Sequence, residues 1–220
     1  MLLTVINIVL SANCFFNEFH EEALAALNFF ETHKEIQREL LYNLSNEEKD
    51  IAKAIVAPEV GFYSYIEDYV EYKTMCLLYI QYGTADFSIG SFQMKPSFAE
   101  TIENEICKNR MLKKKYAKLI IKNKDSKKCR KIRIDRLTKI MWQTKYLSAF
   151  IDISRIKTFN IKFNDVEDKI KYWAILYNSG LDLSESRVYK MQERKLFPRF
   201  YGGYNYADVV LEFYHHMVNK

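Results

Sequence analysis

Glu59 is the residue in this sequence best suited to transfer a proton. It follows Pro58 and has apolar neighbours at Ile55, Val56 and Val60. An apolar setting disfavours the charged carboxylate and raises the pKa of a glutamate, so that the group can act as an acid near neutral pH. Because proline interrupts helical hydrogen bonding, we expect Glu59 at or just past a helix terminus or kink, where its side chain can enter a cleft. A surface glutamate after a helix is the alternative.

Two later segments carry residues that could line such a cleft. The first spans 88–97 and reads SIGSFQMKPS, and the second spans 176–180 and reads LYNSG. Gly90 in the first segment permits a positive φ angle and a close backbone approach, as a cleft floor requires. The second segment equally fits the C-terminal cap of a helix.

Taken in order, Glu59 and these two segments resemble the signature of the soluble lytic transglycosylases and the goose-type lysozymes. The resemblance covers about residues 51–180. It implies a lysozyme-like helical domain that cleaves the β-1,4 bond between MurNAc and GlcNAc in bacterial peptidoglycan. Two features depart from the family pattern: Val60 stands where a serine usually follows the glutamate, and the intervals between the motifs are longer than is typical.

The resemblance also implies roles for individual residues. Glu59 would be the general acid and base. The turn at Gly90 would let the backbone approach the sugar, Gln93 would hydrogen-bond within the cleft, and Tyr177 and Asn178 would hold the carboxyl group and the substrate acetamido group. The implied substrate-binding set is Ser88, Gly90, Phe92, Gln93, Tyr177 and Asn178. The ring of Phe92 fits a core position behind the turn better than a sugar contact.

A second carboxylate would decide between two reactions. An inverting hydrolase holds two carboxyl groups about 6.5–9.5 Å apart with a water between them. In the family resembled, a lytic transglycosylase manages with one, because the acetamido and six-hydroxyl groups of the substrate replace the second and a 1,6-anhydro product forms. Asp86 is the main candidate for a second carboxylate, although it also fits a turn-capping role. Glu67 and Asp68 are further candidates.

Composition and periodicity predict a mainly α protein. The chain has 220 residues with only 6 Gly and 3 Pro, too few for a turn-rich sandwich or barrel. Apolar residues recur at helical spacing through most of it, and capping patterns at Ser45, Asn164 and Asn205 mark helix starts. Residues 84–96 are expected to form a short loop or small hairpin. We expect a single domain over 15–220, with no internal repeat.

A basic segment at 108–136, here named the basic arm, dominates the charge pattern. It holds 14 Lys and Arg residues and two Asp residues, a net charge of +12, whereas the whole chain carries +5. We expect a helical insertion whose apolar face carries Met111, Leu112, Tyr116, Leu119 and Ile120. Such a segment could attract anionic muropeptide strands or an anionic membrane surface. A nucleic-acid-binding helical protein using the arm is the main rival hypothesis, and a catalytically silent wall-binding relative is a third.

The remaining signals concern compartment and cofactors. The apolar start of the chain, residues 1–14, resembles a secretory or lipoprotein leader without the usual positive charge, which favours a periplasmic or cell-envelope location. Cys14 would then be a lipidation or cleavage-region residue, and a buried N-terminal strand or helix is the alternative. Cys107 and Cys129 could pair in an oxidising compartment. The sequence has no metal or nucleotide motif, so we expect no cofactor.

Overall fold

The computed structural model describes residues 14–62, 69–198 and 201–219, and it confirms the prediction of a mainly α fold. Helices follow one another through all the described residues. Their bounds are α1 Phe15–Glu18, α2 His20–Thr32, α3 Lys34–Asn43, α4 Asn46–Gly61, α5 Tyr69–Tyr82, α6 Pro96–Lys108, α7 Arg110–Lys115, α8 Ser126–Leu137, α9 Ile140–Lys157, α10 Val166–Ser179, α11 Glu185–Gln192 and α12 Tyr206–Val218. One hydrophobic cluster extends from Phe15 to Phe213 and joins the two ends of the described chain.

Helix α4 is the central element. It starts at the predicted capping box, in which Ser45 and Glu48 exchange side-chain and backbone hydrogen bonds, and it packs against α2, α10 and α12. Its last turn approaches α2 so closely that a Cβ atom on Gly61 would lie 2.7 Å from the carbonyl oxygen of Glu22. Only glycine fits there without a backbone shift. Pro58 lies inside α4, three residues before its end.

The predicted small hairpin is present in a minimal form. Ile89 and Met94 form an antiparallel bridge with two backbone hydrogen bonds of 3.1 Å. The turn between them has two residues with positive φ, Gly90 at 68° and Gln93 at 47°. Pro96 then occupies the first turn of α6, where its missing amide hydrogen is not needed.

Two of the helix starts can be compared with the capping predictions. Asn205 caps α12 as expected, since its side chain accepts a 2.7 Å hydrogen bond from the amide of Ala207. The prediction for Asn164 is wrong by one residue. Asp165 caps α10 by accepting from the amide of Asp168 at 2.8 Å, because its carboxylate reaches the third residue of the helix.

The basic arm forms two helices, α7 and α8, joined by residues 116–125. Met111 is 78% exposed, so its expected place on the apolar face was wrong. Leu112, Tyr116 and Leu119 are buried as expected. Because the helix ends at Lys115, the apolar spacing does not continue as one helical face beyond that point.

A buried ion pair fixes the basic arm to the body. Arg133 of α8 donates two hydrogen bonds to the carboxylate of Glu103 in α6, at 3.1 and 2.7 Å, and a third to the hydroxyl of Tyr79 in α5. Tyr146 of α9 donates to the same carboxylate at 2.6 Å. A bidentate pair of this kind sets orientation as well as affinity, so part of the charge of the arm serves its own docking.

The predictions for the leader, the cysteines and the membrane can also be compared with the structure. The proposed leader lies almost wholly outside the described residues, and its last residue, Cys14, donates from Sγ to Glu212 at 2.9 Å. All four cysteine thiols are free, including those of Cys107 and Cys129, which line one cavity of about 320 Å³. Among the described helices, none combines the length and the apolar character needed to cross a membrane.

Candidate functional site

Glu59 lies in the last turn of α4, as the position of Pro58 predicts. Most of the surface of this residue is buried and a minor part is exposed, while the α4 residues on either side of it are buried. Burial raises the pKa of its carboxyl group from 4.5 to about 7, and a hydrogen bond with Tyr206 and the charge of Lys95 oppose this rise. A large fraction of the group is therefore protonated near neutral pH, as a general acid requires.

Tyr206, the first residue of α12, is the main partner of Glu59. Its hydroxyl lies 2.7 Å from the carbonyl oxygen of Ile55, one turn before Glu59, and it also interacts with the Glu59 carboxyl group. Its single proton can be donated to the carbonyl oxygen or to the carboxylate, but not to both at once. Burial raises the pKa of this phenol, and the charge of Glu59 raises it further. The sequence analysis missed Tyr206, since only its place just after the Asn205 cap distinguishes it from the other 15 tyrosines.

Tyr177 of α10 connects the carboxyl group to the hairpin. It is buried, and its hydroxyl donates a 2.6 Å hydrogen bond to the carbonyl oxygen of Phe92. Burial raises its pKa well above 10, and the nearby charge of Glu59 adds to the shift. The rings of Phe98 and Phe150 pack edge-on against it, with centroids 5.3 and 5.4 Å away. Glu59 and residues of both predicted segments therefore lie together, although they are far apart in sequence.

Gln143 of α9 fixes the position of the hairpin by hydrogen bonds. Its amide nitrogen donates to the carbonyl oxygens of Ile89 and Leu137, both at 2.6 Å, and its amide oxygen accepts from the backbone of Phe92 at 2.9 Å. The side chain is fully buried. A lone glutamine in a helix gives no sequence signal for this role.

The reason for glycine at position 90 differs from the expected one. A Cβ atom there would lie 2.0 Å from the amide nitrogen of Gln143 and 2.7 Å from the carbonyl oxygen of Leu137. The close approach that Gly90 permits is thus to α9 and the end of α8. The expectation that this glycine lets backbone approach a sugar has no support in these contacts.

The remaining predicted binding residues differ in their burial and in their hydrogen bonds. Phe92 is fully buried, which confirms the core position expected behind the turn and leaves its ring unable to contact a sugar. Gln93 donates to the carbonyl oxygen of Gly90 at 2.8 Å, which closes the turn. Ser88 and Asn178 are exposed and remain accessible to a ligand.

Asp86 acts as a cap in the structure. Its carboxylate accepts hydrogen bonds from the backbone amide of Ser97 at 3.2 Å and from the Ser97 hydroxyl at 2.8 Å, at the start of α6. An anionic acceptor at a helix N-terminus satisfies an otherwise unpaired amide. The other two candidates, Glu67 and Asp68, lie outside the described residues.

Lys95 is the cation whose charge acts on Glu59. It is exposed and stands between the hairpin and α6, as the residue before Pro96. An ammonium group near the carboxyl group favours the ionised form, and it leaves the site with one positive charge facing solvent. The sequence analysis quoted Lys95 only as part of the 88–97 segment.

No protein-family model matches the chain, and neither a curated protein nor a solved structure matches it. The geometry of the site is therefore the ground on which a function can be argued. In the described part of the chain, no group of three or more His, Cys, Asp or Glu side chains is arranged to hold a metal ion.

Proposed function

We propose that the protein is a peptidoglycan-cleaving glycosidase of the lytic transglycosylase kind, with Glu59 as its general acid and base. The observation that carries the proposal is the meeting of three separate sequence segments around one carboxyl group. The Tyr206 hydroxyl can donate its proton to the Glu59 carboxylate. Tyr177, whose pKa is raised by the charge of Glu59, holds the hairpin through the carbonyl oxygen of Phe92. The lysozyme-like character of the helical domain is part of the same proposal.

The protonation state of Glu59 suits the first step of glycoside cleavage. With a pKa of about 7, the carboxyl group can give a proton to the leaving glycosidic oxygen at neutral pH. Positioned acid catalysis of this kind contributes roughly 10²–10⁴-fold in rate. The resulting carboxylate then takes a proton from the six-hydroxyl group of the same MurNAc ring as that oxygen attacks the anomeric carbon, which restores the acid and closes the 1,6-anhydro ring.

The role of Asp86 favours the one-carboxylate reaction over hydrolysis. Both of its oxygens accept hydrogen bonds from Ser97, so the group already has a structural task at the start of α6. A carboxylate that activates water must instead face the sugar ring opposite the acid. We therefore propose that the substrate supplies the second group itself.

Digestion of purified peptidoglycan by the wild-type protein and by Glu59→Gln, with mass spectrometry of the released muropeptides, tests the proposal. We expect 1,6-anhydro products from the wild type and a loss of at least a hundredfold in rate for the variant, because glutamine keeps the shape of the side chain but supplies no acidic proton. Reducing-end products would indicate a hydrolase.

A matched control is Glu35→Gln in α3, which changes an exposed glutamate to glutamine in the same way. It should digest peptidoglycan as the wild type does. If neither the wild type nor the control releases products while both bind wall material, the catalytically silent relative is the better description. Wild-type activity retained by Glu59→Gln would overturn the assignment of the acid.

A further inference from the structure

A surface away from the proposed cleft combines exposed apolar side chains with lysines. On α5, the exposed positions 77, 78, 81 and 82 recur at helical spacing and therefore lie on one face. Three of them are apolar or aromatic, with exposed fractions of 61% for Leu77, 40% for Leu78 and 71% for Tyr82. Apolar side chains that stand together on a protein surface in this way often mark a site of interaction with another protein or with a membrane.

Helix α8 lies beside this face and carries the lysines. Lys127, Lys128 and Lys131 are exposed on it at spacings of three and four, together with Ile132 at 36% exposure. Lys131 has no acidic partner among the described residues, and Lys128 reaches Asp125 only at 4.0 Å. These cations are therefore available to a partner outside the chain.

Direct contacts join the two faces into one surface. Lys127 donates a 2.8 Å hydrogen bond to the side chain of Gln81, which lies within the exposed face of α5. Arg130, between the lysines, donates to the carbonyl oxygens of Ile80 and Gln81 at 2.9 and 3.2 Å. The apolar residues of α5 and the lysines of α8 are thus held side by side.

We propose that this α5–α8 surface, defined by Leu77, Leu78, Tyr82, Lys127, Lys128, Lys131 and Ile132, is a docking site for an anionic lipid bilayer. Lysines attract the anionic headgroups, and aliphatic side chains beside them enter the boundary between headgroups and acyl chains. Tyrosine suits that boundary because it has an apolar ring and a polar end. The inference does not depend on the proposed cleavage of peptidoglycan.

The apolar residues distinguish a bilayer from nucleic acid. Binding to phosphates along a duplex is an electrostatic contact, and its affinity falls steeply with salt. Two adjacent exposed leucines contribute nothing to such a contact, whereas a bilayer can bury both. Several cations of the basic arm are also used internally, as Arg133 and Arg136 show by their bonds to Glu103 and to the carbonyl oxygen of Leu119.

The test is sedimentation of the full chain with vesicles of phosphatidylglycerol and phosphatidylcholine, compared with phosphatidylcholine alone. We expect binding to the anionic vesicles only. The variant Lys127→Gln, Lys128→Gln, Lys131→Gln should bind them on the order of a hundredfold more weakly, since each lysine near an anionic surface contributes about a factor of five. The control variant Lys162→Gln, Lys190→Gln, Lys195→Gln changes three exposed lysines elsewhere and should bind as the wild type does.

A second pair of variants tests the apolar part. Leu77→Ser with Leu78→Ser should weaken vesicle binding by tenfold or more. The binding that remains should be more sensitive to salt than that of the lysine variant, because the lysines are kept. The control Tyr42→Ser with Phe159→Ser replaces two side chains that are 86% and 83% exposed elsewhere, and it should have no effect.

Three outcomes would overturn the proposal: equal binding to both kinds of vesicle, full binding by either α5–α8 variant, or capture of duplex DNA that competes with the vesicles and depends on the lysines but not on the leucines. Circular dichroism of each variant shows whether it is folded. Glu59→Gln should bind vesicles normally, so failure here and failure of the proposed catalysis are separable.

Discussion

The hydroxyl of Tyr177 donates a 2.6 Å hydrogen bond to the carbonyl oxygen of Phe92, and this bond joins α10 to the hairpin. Tyr206 makes the corresponding bond to the carbonyl oxygen of Ile55 in α4 at 2.7 Å. Two buried phenols, both with a pKa raised by the charge of Glu59, thus hold two backbone segments. They differ in that the hydroxyl of Tyr206 can also donate its proton to the Glu59 carboxylate.

This difference predicts the behaviour of Tyr206→Phe. Because the hydrogen bond from Tyr206 lowers the pKa of Glu59, its removal should raise that pKa and move the high-pH limb of peptidoglycan cleavage to higher pH. The measurement is initial rate against pH. Tyr177→Phe is the matched control, since it loses a similar bond to a backbone carbonyl and should leave the limb in place. Equal shifts in both variants would contradict the assignment.

The raised pKa of Glu59 also predicts how stability depends on pH. The folded protein holds this proton more tightly than the unfolded chain, so the free energy of unfolding falls as pH rises from 4.5 to about 7. The loss is at most about 3 kcal/mol, because one pKa unit corresponds to about 1.4 kcal/mol and the group is partly exposed.

Glu59→Gln removes this ionisation and should therefore be more stable than the wild type at pH 8, with little difference at pH 4.5. Urea unfolding at the two pH values measures the effect. The control Glu35→Gln should show no such crossover. A stability difference for Glu59→Gln that does not change with pH would mean that the carboxyl group is not held in its neutral form.

Gly90→Ala should be strongly destabilising. The added methyl group would collide with Gln143 and with the carbonyl oxygen of Leu137, in addition to the strain of a φ angle of 68°. We expect a loss of about 3 kcal/mol or more in unfolding free energy, since overpacking and backbone strain each cost about 1–3 kcal/mol. Gly203→Ala is the control, because Gly203 has a φ of 98° but no atom within 4 Å of the added carbon. Equal losses in thermal unfolding would show that backbone strain alone matters.

The role of Asp86 distinguishes the one-carboxylate reaction from hydrolysis. If it is a cap, Asp86→Ala should cost about 1 kcal/mol of stability, and Asp86→Asn, which keeps an acceptor oxygen for Ser97, should retain both stability and wall cleavage. Thermal unfolding and muropeptide release measure the two quantities. Loss of cleavage in a stable Asp86→Asn protein would instead assign Asp86 to the chemistry and favour hydrolysis.

Local signals predicted much of the fold. The capping box at Ser45 and the cap at Asn205 each depend on residues a few positions apart, and both lie where expected. Pro58 lies inside α4, which continues three residues further, so the expected interruption is absent. Asn164 and Met111 were placed wrongly for local reasons as well. A carboxylate one residue later is an equally good cap. Met111 is next to the buried Leu112 in α7, and consecutive residues of an α-helix point about 100° apart, so the two do not share one face.

The supporting residues of the site could not be predicted in the same way. Gln143 and Tyr206 act on atoms 51 and 151 positions away, and neither residue type is unusual in a helix. The packing around Gly90 could not be predicted for the same reason, because the atoms that approach it belong to α8 and α9. Three-dimensional packing therefore decided which residues surround Glu59.

The contact between Gly61 and the backbone of Glu22 also bears on how the site works. Two helices that meet backbone to backbone leave little slack between them, and this contact lies two residues after Glu59. Glu59 is consequently carried by a helix end that is held closely against α2, which favours a fixed position of the carboxyl group when a proton leaves. In the proposed reaction, distortion of the sugar ring would then fall to the substrate rather than to the protein.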